Sequence, residues 1–266
     1  MSQEEFSLVR NEEYGFLETI PRPKQEELFK YYESEEYISH TDSKKGALSF
    51  LYQTVKRYSL GKKVSLISKL NRGKGSLLDV GAGTGEFLKF AQEKGWNIDG
   101  VEVNEKARQF ALEKGVHLQQ GLDAFLGKQF DVVSLWHVLE HLPNLEEVVS
   151  TLEDLVRPGG ILLIAVPNFN SWDAKHYKEF WAAYDVPRHL WHFSKPSMRK
   201  LIPRKFNMVS VKAMPFDAFY VSLLSEKYKT GNAFSLKAFW MGFRSNLSAI
   251  SSKEYSSLLY CFQKED

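Results

Sequence analysis

The stretch SLLDVGAGTGEFLKF, Ser76 to Phe90, constrains the fold of this chain more than any other. An apolar run enters three closely spaced glycines, Gly81, Gly83 and Gly85, and a helix-like run leaves them. A strand that ends in a tight glycine turn and opens a helix is how an α/β sheet brings a ligand to a helix N-terminus. Downstream, the strand-like runs NIDGVEV, VHLQQ, FDVVSLW and GILLIAVP alternate with helical stretches. These are 86–94 closed by Gly95, one capped by Asn104 and stopped at Gly115, and one opened by Asn144 with Glu147 three residues on. Apolar runs without alternation mark strands buried on both faces, as in a parallel sheet. With the late runs FNMVSVKAM and SSLLYCFQK, the expected fold is α/β: a doubly wound, mostly parallel seven-stranded sheet with N-terminal helices and a C-terminal helical cover.

Three segments are expected: an extension over 1–40 with a short helix after Pro23, a helical segment over 41–75 interrupted near Gly61, and the α/β domain over 76–266 with its cover at about 216–250. Residues 167–193, crowded with aromatic, His and Arg side chains, make either a functional loop or no loop at all. The net charge of +2 hides an uneven distribution: 1–40 hold ten acids against four bases, and 41–75 hold nine bases and only Asp42. Leu48, Leu51, Tyr52 and Val55 fall at helical spacing, which makes Lys44, Lys45, Lys56 and Arg57 a solvated face and disfavours a nucleic-acid partner. A sole cysteine, Cys261, excludes a disulfide framework and any cysteine-based metal site within this chain. With no leader-like start and no apolar run long enough to span a bilayer, the expected setting is a reducing cytoplasm, without integral membrane association.

The glycines admit three ligands. A phosphate loop needs Gly-Lys-Ser/Thr where this chain has Gly85-Glu86-Phe87. A dinucleotide fingerprint needs its third glycine where Glu86 stands, and a carboxylate facing the pyrophosphate would repel it. The actual Gly-x-Gly-x-Gly, preceded by Asp79, suits a ligand with a cationic group; S-adenosylmethionine carries an ammonium and a sulfonium and no phosphate. Glu102, 17 residues after Gly85 at the end of NIDGVEV, is placed to accept from both ribose hydroxyls, which a nicotinamide enzyme would use equally.

On these residues the chain resembles the class I S-adenosylmethionine-dependent methyltransferases. DVGAGTGEF looks like their first motif, GVEVN their second, FDVVSLWHVLEHLPN their fourth-strand motif and LVRPGGILLIAVPN their fifth. The likeness is close over about Ser76–Asn168 and looser through DVPRHLWHFSKPS, similar to a bacterial branch related to quinone-biosynthesis O-methyltransferases. The resemblance implies cofactor contacts from Asp79, Gly81, Ala82, Gly83, Gly85, Glu102 and Val103, with Leu122 and Asp123 by the adenine and Trp136 and His137 by the methionine end. It implies S-adenosylhomocysteine as product and a small-molecule acceptor, quinone-like or a cell-envelope sugar or lipid precursor, methylated at oxygen. Relatives in this branch often begin with a zinc-ribbon-like Cys-x-x-Cys-Gly; Asn11 and Tyr14 stand there in this chain, so no metal is expected.

Methyl transfer needs nucleophile and methyl held in line, and a hydroxyl nucleophile benefits from a general base. His141 is the first candidate, with Glu140 as orienter and His137 beside them; the competing reading is that Glu140 and His141 organise the turn into the next helix. A metal on Glu140 and His141 lacks further ligands in the sequence. Arg188 suits a substrate carboxylate or phosphate, or else pairs with Asp185. His189, His192 and Trp172 are candidates for the same pocket, or for packing. Two other classes stay open: a non-catalytic nucleoside-binding module of the same fold, and a nicotinamide oxidoreductase.

Overall fold

A computed structural model of the protein describes residues 4–23, 31, 47–232 and 235–266. The helix expected after Pro23 and the side chains of Lys44 and Lys45 lie outside the described residues. The main sheet has six strands in the order β4-β3-β5-β6-β9-β8: β3 (Ser76–Val80), β4 (Asn97–Val101), β5 (Phe130–Trp136), β6 (Val156–Pro167), β8 (Phe206–Ala213) and β9 (Ser257–Lys264). β3 runs parallel to both β4 and β5, with Asp79 opposite Gly100 on one side and Ser134 on the other. Leu77, Leu78, Val132, Val133, Leu135 and Leu163 have no solvent exposure, as runs of unbroken apolarity require. Strand order reverses at β3, the switch point where doubly wound sheets take their ligands.

Two expectations change. The run VHLQQ forms no strand: Gln119 makes a single bridge to Val101, its N–H donating to the Gly100 carbonyl, before Gly121 and a 3-10 turn at Leu122–Phe125 carry the chain away. Its side chains are half-buried or exposed at Leu118–Gln120, so no second apolar face holds it in register, and the sheet has six strands among the described residues rather than seven. The segment around Gly61 is not interrupted either; one helix, α1 (Ala47–Leu70), runs through it. Burial of Val64 and Ile67 outweighs the roughly 1 kcal/mol that a mid-helix glycine costs.

By its internal contacts the chain divides into two compact units. One comprises 32–135, 150–163 and 263–266, and holds β3, β4, most of β5, α2 (Glu86–Glu93), α3 (Glu105–Glu113) and most of α4 (Leu145–Leu155). Asn104 caps α3 by accepting from the Ala107 N–H.

The other comprises 1–31, 136–149 and 164–262. Its hairpin β1 (Ser7–Arg10) and β2 (Leu17–Ile20) pairs antiparallel with the two-residue β7 (Trp191–His192). In the turn between these two strands the Asn11 side chain closes the loop, accepting from the Tyr14 N–H at 2.9 Å and donating to Glu18 at 2.7 Å. Phe16 then packs edge-on against Trp191 and Phe193. The 167–193 segment is no loop: it holds α5 (Trp172–Tyr177), two 3-10 turns and β7. After α6 (Lys195–Leu201), the cover is two helices, α7 (Asp217–Thr230) and α8 (Leu236–Ser252), inserted between the adjacent strands β8 and β9.

Candidate functional site

The first unit carries a cradle at the carboxyl ends of β3 and β4. All three loop glycines adopt positive φ, and the Gly81 and Ala82 N–H groups donate to the Val101 carbonyl, folding the loop over the end of β4. The glycines do different work. A Cβ on Gly83 would meet nothing within 4 Å, so this is the face open to a ligand. A Cβ on Gly85 would lie 3.0 Å from that of Ala111 and 3.2 Å from that of Val116, so this glycine lets α2 approach α3.

Glu102 is 3% exposed and pinned from both sides: its carboxylate accepts from the Gly83 N–H at 2.9 Å and the Asn104 N–H at 2.8 Å. Two bonds fix its plane and leave acceptor capacity for a diol. Asp79 is equally buried, and the Ser134 hydroxyl donates to it at 2.6 Å. Burial pushes its carboxyl up to about 7; the Ser134 bond and Lys63 oppose that, and the Glu102 charge adds to it. A buried carboxylate strained toward protonation favours a ligand that brings a positive charge. Glu86, whose carboxylate argued against a pyrophosphate, pairs with Lys114 at 2.8 Å and Lys56 at 3.3 Å. Of the adenine-side residues, Leu122 is half-buried and Asp123 exposed in the 3-10 turn, and Val103 is exposed.

The second unit holds a cluster of titratable groups. His137, one residue beyond β5, sits at φ 58°, and its N–H donates to the Ala165 carbonyl. Its ring lies between two carboxylates, Nδ1 3.5 Å from Glu140 and Nε2 3.1 Å from Asp217. Burial disfavours the imidazolium, but Asp217 and Glu140 together outweigh it and raise the group to about 10. His137 is a cation at neutral pH, not a base. Glu140, only 1% exposed, is held ionised near 2: burial opposes this, and His137 with its neighbouring histidines overrides it. One Glu140 oxygen is in the 3.5 Å ion pair with His137.

His141 and His189 meet edge to face, ring centroids 4.5 Å apart. The His141 Nδ1 lies 3.1 Å from the Arg188 carbonyl and the His189 Nδ1 2.9 Å from the Ala183 carbonyl. A carbonyl only accepts, so each Nδ1 donates; neutral His141 then carries its lone pair on Nε2, while the His189 Nε2 lies 3.8 Å from the Asp185 carboxylate. Burial and His189 lower His141 to about 4. One ligand atom each from Glu140, His141 and His189 lies within 4.8 Å of the others, so the fold brings a third potential ligand, His189, beside the Glu140 and His141 that the sequence already paired. His192 is tied elsewhere: the Thr19 hydroxyl donates to the His189 carbonyl at 2.6 Å and lies 3.0 Å from His192 Nε2, which therefore donates to it. Arg188 donates to Asp185 at 2.6 Å. Trp172 stacks on His176, with the Arg244 guanidinium 4.9 Å over its ring. Trp136, half-buried, ends β5.

Three residues escaped the sequence reading. Ser134 had a signal, a lone polar residue in FDVVSLW that parallel register sets beside Asp79. Asp217 and Thr19 had none, lying 80 and 173 residues from their histidine partners.

The model of a family described as a methyltransferase domain matches residues 52–210. Ubiquinone biosynthesis O-methyltransferases of Erwinia tasmaniensis and Aeromonas salmonicida are each 35% identical over 106 and 104 residues, 36% and 35% of this chain. Those stretches are 43% and 44% of the relatives' own lengths, so less than half of each is covered. Among solved structures, a Burkholderia thailandensis 1,6-didemethyltoxoflavin-N1-methyltransferase with S-adenosylhomocysteine bound superposes with TM-score 0.56 at 14% identity, covering 99% of this chain and 100% of that one. A Haemonchus contortus phosphoethanolamine N-methyltransferase in complex with S-adenosylmethionine gives TM-score 0.53 at 17% identity, over 77% of this chain and 53% of the other. At these identities the likeness is one of fold.

Proposed function

The chain belongs to the methyltransferase-domain family, and on that premise we propose that it transfers a methyl group from S-adenosylmethionine to a hydroxyl of a small-molecule acceptor. The observation that carries the reading is the cradle: Glu102 held by the Gly83 and Asn104 N–H groups, beside the buried Asp79. Glu102 takes the ribose hydroxyls, Asp79 faces the ammonium, and the space over Gly83 admits the ligand's closest approach. Bound there, S-adenosylmethionine supplies a methyl on a sulfonium, already electrophilic. The chain's own residues then hold the acceptor oxygen in line, exclude water and accept one proton.

His141 fits the proton's destination. It is neutral across the physiological range and carries its lone pair on Nε2, as a base toward a hydroxyl requires. The acceptor is a ring or sugar hydroxyl, quinol-like or from a cell-envelope precursor, a choice suggested by the partial likeness to the ubiquinone O-methyltransferases.

The close grouping of Glu140, His141 and His189 favours a second reading of the same cluster. In it, Glu140, His141 and His189 would hold a divalent cation, which would supply Lewis-acid chemistry to the acceptor hydroxyl, and His141 would be a ligand rather than the base.

Calorimetric titration with S-adenosylhomocysteine, with NADH alongside, tests the proposal. Saturable binding of the first and none of the second supports it. NADH binding alone refutes it, and cofactor binding without turnover over a panel of phenols and quinols favours a non-catalytic binding module.

A further inference from the structure

Helix α8 is turned inside out. Its buried residues are small, Ala238, Gly242, Ser245 and Ala249: a Cβ on Gly242 would meet the Phe219 Cα of α7 at 2.8 Å, and the Ser245 hydroxyl donates to Asp173 of α5 at 2.7 Å. Its large apolar residues face outward. Leu236, Phe239, Trp240, Phe243, Leu247 and Ile250 are all between 42% and 74% exposed. At 3.6 residues per turn they share one stripe of about 100° of arc, opposite the small-residue seam. Phe219 of α7 lies 5.0 Å from Phe239, ring to ring, and carries the apolar surface onto the neighbouring helix.

An exposed stripe of this kind marks an interaction surface. We propose that α8 is an interfacial helix that lays this stripe into the headgroup region of an anionic lipid bilayer. Charge selects the occupant. From Gly231 to Lys253 the sequence has no Asp or Glu, while Lys237, Arg244 and Lys253 are basic and the exposed Lys227 and Lys229 close α7. Lys237 and Arg244 flank the stripe on one side, as in helices that lie in a membrane plane with Trp and Phe immersed. They are also anchored inward, Lys237 on Glu226 at 3.1 Å and Arg244 over Trp172. A second copy of the chain is the weaker occupant, because pairing this helix with its own copy would bring the bases of both helices to one interface with no carboxylate on α8 to meet them. The helix lies on a bilayer and does not cross it: no helix among the described residues is long and apolar enough to do so.

Co-sedimentation of the full chain with phosphatidylcholine vesicles, with and without phosphatidylglycerol to give the surface a negative potential, tests this. The expected result is partition at least about tenfold stronger on the anionic vesicles, weakened by salt, and lost in the triple variant Phe239→Ser, Trp240→Ser, Phe243→Ser. Circular dichroism and S-adenosylhomocysteine affinity of that variant should match the parent. Trp240→Phe should keep binding while removing the blue shift of tryptophan emission that vesicles cause. No partition of the parent chain, or undiminished partition of the triple variant, overturns the proposal. So does a concentration-dependent doubling of mass that the triple variant abolishes, which assigns the face to a second copy.

Discussion

Lowering the pH from 8 to 6 should weaken S-adenosylhomocysteine binding about tenfold, through Asp79 alone. Burial holds this carboxyl at about 7 in the ligand-free protein. An ammonium brought against it stabilises the ionised form, so binding requires a deprotonated Asp79. At pH 8 about ten-elevenths of molecules have it ionised and at pH 6 about one-eleventh, a ratio of ten or roughly 1.4 kcal/mol. Titration calorimetry at pH 6, 7 and 8 in buffers of different ionisation enthalpy should show this trend and about half a proton released per ligand at pH 7. Asp79→Asn should flatten the profile and lower affinity at pH 8. It should also raise the melting temperature there. A carboxyl whose pKa is raised on folding stabilises the fold fully below its unfolded value, and that contribution is lost as pH rises through about 7. Affinity that stays flat from pH 6 to 8 in the parent protein would refute the placement of the ammonium at Asp79.

The loop glycines separate by role: Gly85→Ala should lower the melting temperature by several degrees through its contacts with Ala111 and Val116, whereas Gly83→Ala should weaken the cofactor at least tenfold with a smaller thermal shift, read by differential scanning fluorimetry and titration. His141→Gln should cut kcat by about 10²–10⁴, and because His141 titrates near 4, kcat should stay level from pH 5.5 to 8 while the cofactor KM rises toward acid. Chelation by EDTA decides between the readings of Glu140, His141 and His189: unchanged turnover leaves His141 as base, and loss restored by added Mg²⁺ or Zn²⁺ makes it a ligand. Asp217→Asn should shift the His137 NMR titration toward lower pH. It should also destabilise the protein by about 1 kcal/mol, since solvent reaches a third of the His137 ring, in the window between 6.5 and about 10 where only the folded state holds that proton.

The cradle was legible because its parts are local. A strand, a glycine turn, a helix and the next strand occupy Ser76 to Glu102, and continuous apolarity needs no partner to declare itself. Five of the sheet's six runs were readable for the same reason, and VHLQQ misled because only Val116 is buried, the rest of the run being half-buried or exposed with a single bridge at Gln119. The histidine cluster was legible only in composition. Its histidines were named as candidates, but their states depend on Asp217, Ala183, Arg188 and Thr19, which the fold brings in from distant stretches. The N-terminal hairpin was invisible for a related reason: its third strand is two residues long and lies about 170 positions away. The ion-pair partners of Glu86, Lys56 and Lys114, are likewise set by the fold.

The helical pair α7–α8 leaves the sheet at the end of β8 and returns at the start of β9, and these strands are hydrogen-bonded neighbours. The Met214 N–H donates to the Ser257 carbonyl, so both ends of the insertion are stitched at its base. Such a plug-in is interchangeable as far as the sheet is concerned: a short turn, a longer helix or another cover would leave strand order untouched. The cluster is less indifferent, because Asp217, one of the two counter-charges of His137, travels with the plug-in. Swapping the module therefore resets the charge of a residue one position beyond β5, and a change of cover becomes a change of electrostatics at His137 without any substitution in the sheet.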